Sequence, residues 1–183
     1  MKRVFWVVVV LFALPLLGLL PAIASTSLGL PAGLAEYRTW APLTKEPQAV
    51  PLALWLQCAA VTSDQRAAAY KAHGPHAERY IRVYANPSAL QPLRSTLART
   101  FPTGAVIAKE KLVQAADTAA RGIAFMVKRE GKAFSDTGGW EFRYFPGVGD
   151  MRQTHEACAA CHRAAAGNDY VLGNYGEARK LQP

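Results

Sequence analysis

The feature that most constrains this chain is a run of five residues near its C-terminal end, Cys158-Ala159-Ala160-Cys161-His162. Two thiols separated by two residues and followed by an imidazole can form a redox pair, bind a metal ion or attach a haem. A thioredoxin-like redox pair requires a β-α-β unit before the motif, whereas this motif stands near the C-terminus. A structural zinc site requires further ligands, and Cys58 and His155 are too few and too scattered to supply them.

The N-terminal segment predicts the compartment in which the motif works. Lys2 and Arg3 precede an uncharged, Val- and Leu-rich run over residues 4–20, and a small-x-small site follows at 22–24. Signal peptidase recognises this order of features. Cleavage after Ala24 leaves 183 − 24 = 159 residues with a formal charge of +8 − 2 = +6. We predict a signal peptide over 1–24, a single domain over 25–183, and export to the periplasm or a similar oxidising space. An uncleaved membrane anchor is the alternative.

In an exported chain, two cysteines separated by two residues and followed directly by a histidine form the attachment sequence for c-type haem. Each thiol adds across one haem vinyl group, and the imidazole that follows supplies an axial ligand to the iron. The sequence therefore predicts one covalent haem c, attached through Cys158 and Cys161, with His162 on the iron. Cys58 is then left as a small buried side chain or as half of an intersubunit disulfide.

The sixth iron position separates electron carriers from haem proteins that bind small ligands, because carriers usually close it with Met or His. The candidate ligands in the mature chain are Met126, Met151, His73, His76 and His155, none of them in a distinctive motif. On a continuous helix His155 would lie on the same side as His162 and not across the iron from it. The sequence therefore favours an open iron site.

Hydrophobic alternation predicts strands over residues 79–84, 105–113, 122–129 and 140–145. Short loops between consecutive strands favour antiparallel pairing. In the second strand Ile107, Lys109 and Lys111 share one face, and in the third Ala124 and Met126 share one face. Helices are predicted over 36–40, 65–72, 88–99 and 153–166, with Ser88 as an N-cap, and Pro47 and Pro51 are predicted to mark loops.

Four segments, in order, resemble the cytochrome P460 family. They are an early strand and turn at 83–87, a strand over 101–110 that ends in Lys109-Glu110, a tryptophan-containing strand at 139–142, and the haem motif at 158–162 followed by Asp169-Tyr170-Val171. The haem motif alone is not specific to the family, but its combination with the lysine strand is fairly specific.

The resemblance implies an α+β fold, with a mainly antiparallel β-sheet, a few helices and haem c attached near the C-terminal helix, usually in a homodimer. It also implies a five-coordinate haem whose meso carbon is bonded to a lysine nitrogen. Lys109 occupies the position of that lysine. The alternative is that Lys109 is an ordinary strand lysine, like Lys111.

At one position this chain departs from the pattern of the family. Members that oxidise hydroxylamine carry a distal carboxylate on the strand that follows the lysine, and our alignment places Ala124 there. Glu130 lies beyond that strand. A relative without the lysine bond, cytochrome c′-β, binds nitric oxide under an apolar distal cap. Phe125 or Met126 could provide such a cap, and plain core packing is the alternative role for each.

These features predict an oxidoreductase that acts on hydroxylamine or nitric oxide at a five-coordinate haem. A nitric-oxide-binding protein without turnover and a simple electron carrier are the alternatives. The expected partners are a small nitrogen-containing ligand and a redox partner protein, whose acidic surface the basic charge would suit. Nucleic acid is not expected, because the chain is predicted to be exported and lacks a clustered basic stripe.

Overall fold

The structure is a computed structural model that describes residues 30–57, 63–73, 78–95, 99–146, 155–173 and 175. Its strands in these ranges are β1 (Ala41–Pro42), β2 (Gln48–Pro51), β3 (Glu78–Ala85), β4 (Val106–Leu112), β5 (Gly122–Lys128) and β6 (Trp140–Pro146). They form one sheet in the order β1-β3-β4-β5-β6, with β2 also pairing with β3. Every pairing between these strands is antiparallel, as the short loops predict.

Short helices flank the sheet, so the fold is α+β with a mainly antiparallel sheet. The α-helices in the described ranges are α1 (Ala32–Ala35), α2 (Leu52–Gln57), α3 (Ser63–His73), α4 (Pro87–Arg94) and α5 (His155–His162). Turns of 3-10 helix lie at Tyr37–Thr39, Ser135–Thr137 and Arg163–Asn168. The four predicted strands are confirmed to within about two residues at each end.

Three local predictions were wrong. The N-cap of α4 is Asn86 and not Ser88, because the Asn86 side chain accepts a hydrogen bond from the Ala89 N–H at 3.0 Å and Pro87 begins the helix. Helix α4 ends at Arg94, before the predicted end at residue 99. The segment around Pro51 is not a loop, because strand β2 ends there and α2 follows directly. The proline is tolerated because β2 is a short strand that pairs on one side only.

The sheet separates two cores. On one face lies the first core, which includes Val83, Ile107, Met126, Trp140, Phe142 and Ala159. On the other face lies the second core, formed by Leu34, Tyr37, Val106, Ala108, Ile123, Phe125 and Val127. Alternation along β4 and β5 sends neighbouring side chains to opposite faces, which confirms the face assignments made from the sequence.

A buried carboxylate anchors the N-terminal segment to the second face of the sheet. Glu110 is fully buried, and its Oε1 accepts hydrogen bonds from the Tyr37 hydroxyl at 2.6 Å and from Arg38 Nε at 2.7 Å. Its Oε2 accepts no hydrogen bond from the described residues and lies 3.8 Å from a guanidinium nitrogen of Arg82. Burial and the neighbouring Glu110 raise the pKa of Tyr37. Glu110 therefore depends on donors from residues 37–38, which are distant in sequence.

We predict that Tyr37→Phe lowers the free energy of unfolding by about 1.5–3 kcal/mol at pH 7, because a buried carboxylate loses a donor. Urea denaturation of the purified protein measures this loss. Tyr84→Phe is the matched control, since the Tyr84 ring packs against Tyr37 but its hydroxyl makes no hydrogen bond to Glu110. An equal loss in both variants would contradict a specific role for the Tyr37 hydroxyl.

The difference in unfolding free energy between wild type and Tyr37→Phe depends on pH. The folded-state pKa of Tyr37 is raised, so above about pH 10 the unfolded chain releases a proton that the folded chain retains. Wild-type stability therefore falls there, and the difference between wild type and Tyr37→Phe narrows as pH rises. A difference that stays constant to pH 11 would contradict the raised pKa.

Candidate functional site

A cleft opens between the first face of the sheet and the C-terminal segment. It encloses about 510 Å³ of empty space, including the part open to solvent. The lining residues come from three strands, α5 and the C-terminal segment: Ile107, Lys109, Ala124, Phe125, Met126, Phe142, Arg143, Cys158, His162, Leu172 and Tyr175.

His162 ends helix α5 and is only 8 % exposed. Its Nδ1 lies 2.7 Å from the backbone carbonyl oxygen of Tyr170, so Nδ1 carries a proton and donates it to that oxygen. This arrangement leaves Nε2 as the nitrogen available to a metal, and it fixes the orientation of the ring. The Phe142 ring packs against the imidazole with ring centroids 4.6 Å apart.

The surroundings of His162 favour a neutral imidazole. Burial lowers the pKa of His162, the hydrogen bond to Tyr170 opposes this effect, and the charge of Lys109 lowers the pKa further. A neutral imidazole is the form that binds a metal ion. The donor and its protonation state therefore fit an axial haem ligand.

The two predicted attachment cysteines lie three residues apart on α5, and so point to neighbouring positions on one side of the helix. Both thiols are partly buried, and they are not joined in a disulfide. Cys158 lines the cleft and packs against the first core, whereas Cys161 lies one turn further along the helix and is not part of the lining. An antiparallel sheet precedes them, in place of the parallel unit of a thioredoxin-like redox site.

Lys109 and Lys111 have different environments, although they share a strand face. Lys109 is partly exposed and lines the cleft. Lys111 is 1 % exposed, donates to the carbonyl oxygen of Trp55, and lies 5.1 Å from the Trp55 ring centroid. Of the two, Lys109 is therefore the lysine whose position allows it to reach a group in the cleft.

Ala124 lies directly opposite Lys109 in the β4–β5 pairing, and both residues line the cleft. Met126 lies two residues further along β5 and is also part of the lining. The strand alternation predicted this shared face. Phe125 behaves differently, because its ring packs edge-on against Tyr37 in the second core. Its ring is therefore core and does not cap the cleft.

His155 does not line the cleft. Its ring packs against Phe134 and Phe142, and its Nδ1 accepts the Phe142 N–H at 3.2 Å. His73 ends helix α3. The other predicted positions, which are Cys58, His76, Met151 and the segment 1–24, lie outside the described residues.

Sequence reasoning missed five residues of the lining as site residues: Ile107, Phe142, Arg143, Leu172 and Tyr175. Phe142 lies opposite Met126 in the β5–β6 pairing, so strand register was the signal that could have identified it. Leu172 and Tyr175 follow the haem motif by ten residues or more, and nothing in their local sequence places them at the cleft.

Two negative findings apply to the described ranges only. None of their helices is long and apolar enough to cross a membrane. None of their His, Cys, Asp and Glu side chains form a group of three or more that could hold a metal ion.

Comparison with known proteins decides between the interpretations of this site. The family model for cytochrome P460 matches residues 55–172, which is 172 − 55 + 1 = 118 residues and more than half of the chain. The chain belongs to the cytochrome P460 family. No curated protein matches it. A cytochrome P460 is a c-type haem protein, so haem c is its cofactor. The cysteines on α5, the oriented neutral His162 and the largely apolar lining fit that group.

We predict that Cys158→Ala combined with Cys161→Ala removes haem from the polypeptide, because both thioether bonds are lost. Denaturing electrophoresis followed by peroxidase staining measures haem that remains covalently attached. Cys58→Ala is the control and should keep the stained band. A band that persists in the double variant would contradict attachment at this motif.

Proposed function

We propose that this cytochrome P460 is an exported oxidoreductase that acts on hydroxylamine or nitric oxide at an iron with an open coordination position. The observation that carries the proposal is the arrangement of the cleft. His162 lines it with Nδ1 already bonded, and Lys109 and Ala124 lie opposite each other on the sheet wall. When bound, the haem supplies the iron that a nitrogen ligand would occupy and a route for its electrons.

The apolar part of the lining supports a site for a small, weakly hydrated ligand. Ile107, Met126 and Phe142 are each less than 10 % exposed, and they limit the entry of water. The lining contains these ionisable side chains: Lys109, Arg143, Cys158, His162 and Tyr175. None of these is a carboxylate, so within the described part of the chain no carboxylate of the lining could accept protons from a substrate.

We expect an open iron site to give a high-spin ferrous spectrum. Met126 is the one candidate sixth ligand within the described lining. Visible spectra of wild type and Met126→Leu test its role, because leucine fills similar volume without a sulfur ligand. Equal high-spin spectra support an open site. A low-spin wild type that becomes high-spin in the variant would identify Met126 as a ligand and favour the electron carrier.

We propose further that Lys109 is bonded to a haem meso carbon. The position of Lys109 in the cleft supports this, together with its match to the lysine strand of the family. Because an N–H bond and a C–H bond are replaced by a C–N bond, formation of this link is an oxidation and needs an oxidant from outside the protein. A neutral amine is the nucleophilic form of lysine.

We predict that peptide mass spectrometry of wild type finds the Lys109 peptide joined to the haem peptide. Lys109→Leu should release it and shift the spectrum towards that of an ordinary c-type haem. Lys111→Met is the matched control on the same strand face and should retain the link. Separate peptides from wild type would contradict the link and leave a cytochrome c′-β-like protein.

A second function, nitric oxide binding without turnover, is favoured by one observation. Ala124 stands where our alignment places the carboxylate of relatives that oxidise hydroxylamine, and the described residues contribute no carboxylate to the lining. Oxidation of hydroxylamine releases protons as well as electrons. General-base assistance is typically worth about 10²–10⁴-fold in rate. The wild type is therefore expected to bind hydroxylamine or nitric oxide and to oxidise hydroxylamine slowly.

We predict that Ala124→Glu raises hydroxylamine oxidation about 10²-fold, the lower end of that general-base range. Steady-state turnover with an artificial electron acceptor measures the effect. Ala116→Glu adds the same charge at an exposed alanine outside the lining, and it should leave the rate unchanged. Fast wild-type turnover would show that another base is in place. No gain in Ala124→Glu, with normal haem content and ligand binding, would contradict the alignment of β5.

The proposal includes export after cleavage of residues 1–24, a redox partner protein that takes the electrons, and assembly as a homodimer. The basic-apolar-small order of the N-terminal segment supports export. The net positive charge supports docking to an acidic partner surface.

A further inference from the structure

The carbonyl group that orients His162 belongs to a strained turn. Asp169 and Tyr170 both have positive φ angles, 47° and 63°. Residues other than glycine seldom adopt this left-handed conformation, and for a bulky residue such as tyrosine it is a genuine outlier. Two such residues in succession persist only where the surrounding structure enforces them.

Three contacts enforce the turn, and all of them reach Asp169. Lys128 Nζ lies 2.8 Å from both Asp169 carboxylate oxygens, in a pair whose side chains are 11 % and 12 % exposed. The Phe101 N–H donates to Oδ2 at 2.8 Å. The Trp140 indole N–H donates to the Asp169 carbonyl oxygen at 2.8 Å. The turn is therefore fixed to β5, to β6 and to Phe101, which lies before the turn that leads into β4.

The turn that precedes β6 also leaves space for the Tyr170 ring. Gly138 has a φ of 61°, and a Cβ built at this position would lie 2.7 Å from a carbon of the Tyr170 ring. A side chain at residue 138 would therefore displace Tyr170. The Lys128 ammonium lies 5.1 Å from the Trp140 ring centroid, so two of the groups that hold Asp169 also support each other.

We infer that Asp169, Lys128 and Trp140 are positioning residues for the iron: they hold the Tyr170 carbonyl on Nδ1 of His162 and so set the strength of the iron–histidine bond. The inference rests on His162 as the axial ligand, as proposed above. A hydrogen bond from Nδ1 to a fixed acceptor raises the basicity of the ligating nitrogen. A more basic ligand stabilises ferric iron over ferrous iron and lowers the reduction potential.

The sign of the change in potential distinguishes positioning from simple electrostatics. Direct loss of the Lys128 charge would lower the reduction potential of a nearby haem, and direct loss of the Asp169 charge would raise it. Loss of the Tyr170 bond to His162 would raise the potential in both cases. Lys128→Met is therefore the decisive variant, since the two explanations predict opposite shifts.

The experiment is a spectroelectrochemical titration of holoprotein from wild type, Lys128→Met, Lys128→Arg, Asp169→Ala and Asp169→Asn. Arg129→Met is the matched control, because it removes a positive charge from the residue next to Lys128 and breaks the ion pair with Glu141, which keeps its second partner Arg143. Covalent haem is verified in each variant by peroxidase staining. Urea denaturation of the same samples reports any loss of stability separately.

We expect the potential to rise in Lys128→Met and in Asp169→Ala, and to stay near wild type in Lys128→Arg and Arg129→Met. A fall or no change in Lys128→Met, with reduced stability, would overturn the inference and leave the network a structural one. If Asp169→Ala yields no holoprotein, Asp169→Asn takes its place. A rise in the potential of both Asp169→Asn and Lys128→Met then supports the inference, and a fall or no change in Lys128→Met overturns it. Because the potential is measurable without turnover and with an open or a closed sixth position, the result is independent of whether hydroxylamine is the substrate.

Discussion

The antiparallel pairing of β4 with β5 determines which side chains can meet in the cleft. It places Lys109 opposite Ala124 and Ile107 opposite Met126, and all four residues line the same space. Because side chains alternate along a strand, a register shift of one residue would send this whole set to the other face. The position of Lys109 beside a haem site is therefore a property of backbone hydrogen bonding as much as of the lysine itself.

Glu110, the residue next to Lys109, reinforces this register from the opposite face. Its buried carboxylate accepts donors from Tyr37 and Arg38 and can satisfy them only while it points into the second core. A strand that turned over would bring Glu110 to the cleft and leave Lys109 in an apolar core. A lysine in that core would be a buried charge without a partner, which is costly. The lysine-glutamate pair thus helps to select a single orientation of β4.

The proximal side of the site depends on contacts of a different kind. His162 belongs to a regular helix, but the carbonyl that orients it comes from two left-handed residues after the helix. Those residues are held by Lys128 and Trp140, which lie on the two strands that also contribute to the cleft. The sheet therefore shapes the cleft in two ways, through Lys109 and Ala124 on its face and through the strand residues that hold Asp169.

The sequence by itself determined the haem motif, the four central strands and the side chains that share each face, because attachment chemistry and strand alternation are local rules. It also distinguished Lys109 by resemblance to a family. It did not determine the Asn86 cap, the strand at Pro51 or the core position of the Phe125 ring, because these depend on partners elsewhere in the chain. Only the tertiary structure decided that Phe142 packs on His162, that Lys111 is held by Trp55, and that Asp169 and Tyr170 adopt left-handed conformations. Each of these joins residues far apart in sequence, where burial and hydrogen bonding across the sheet outweigh local preference.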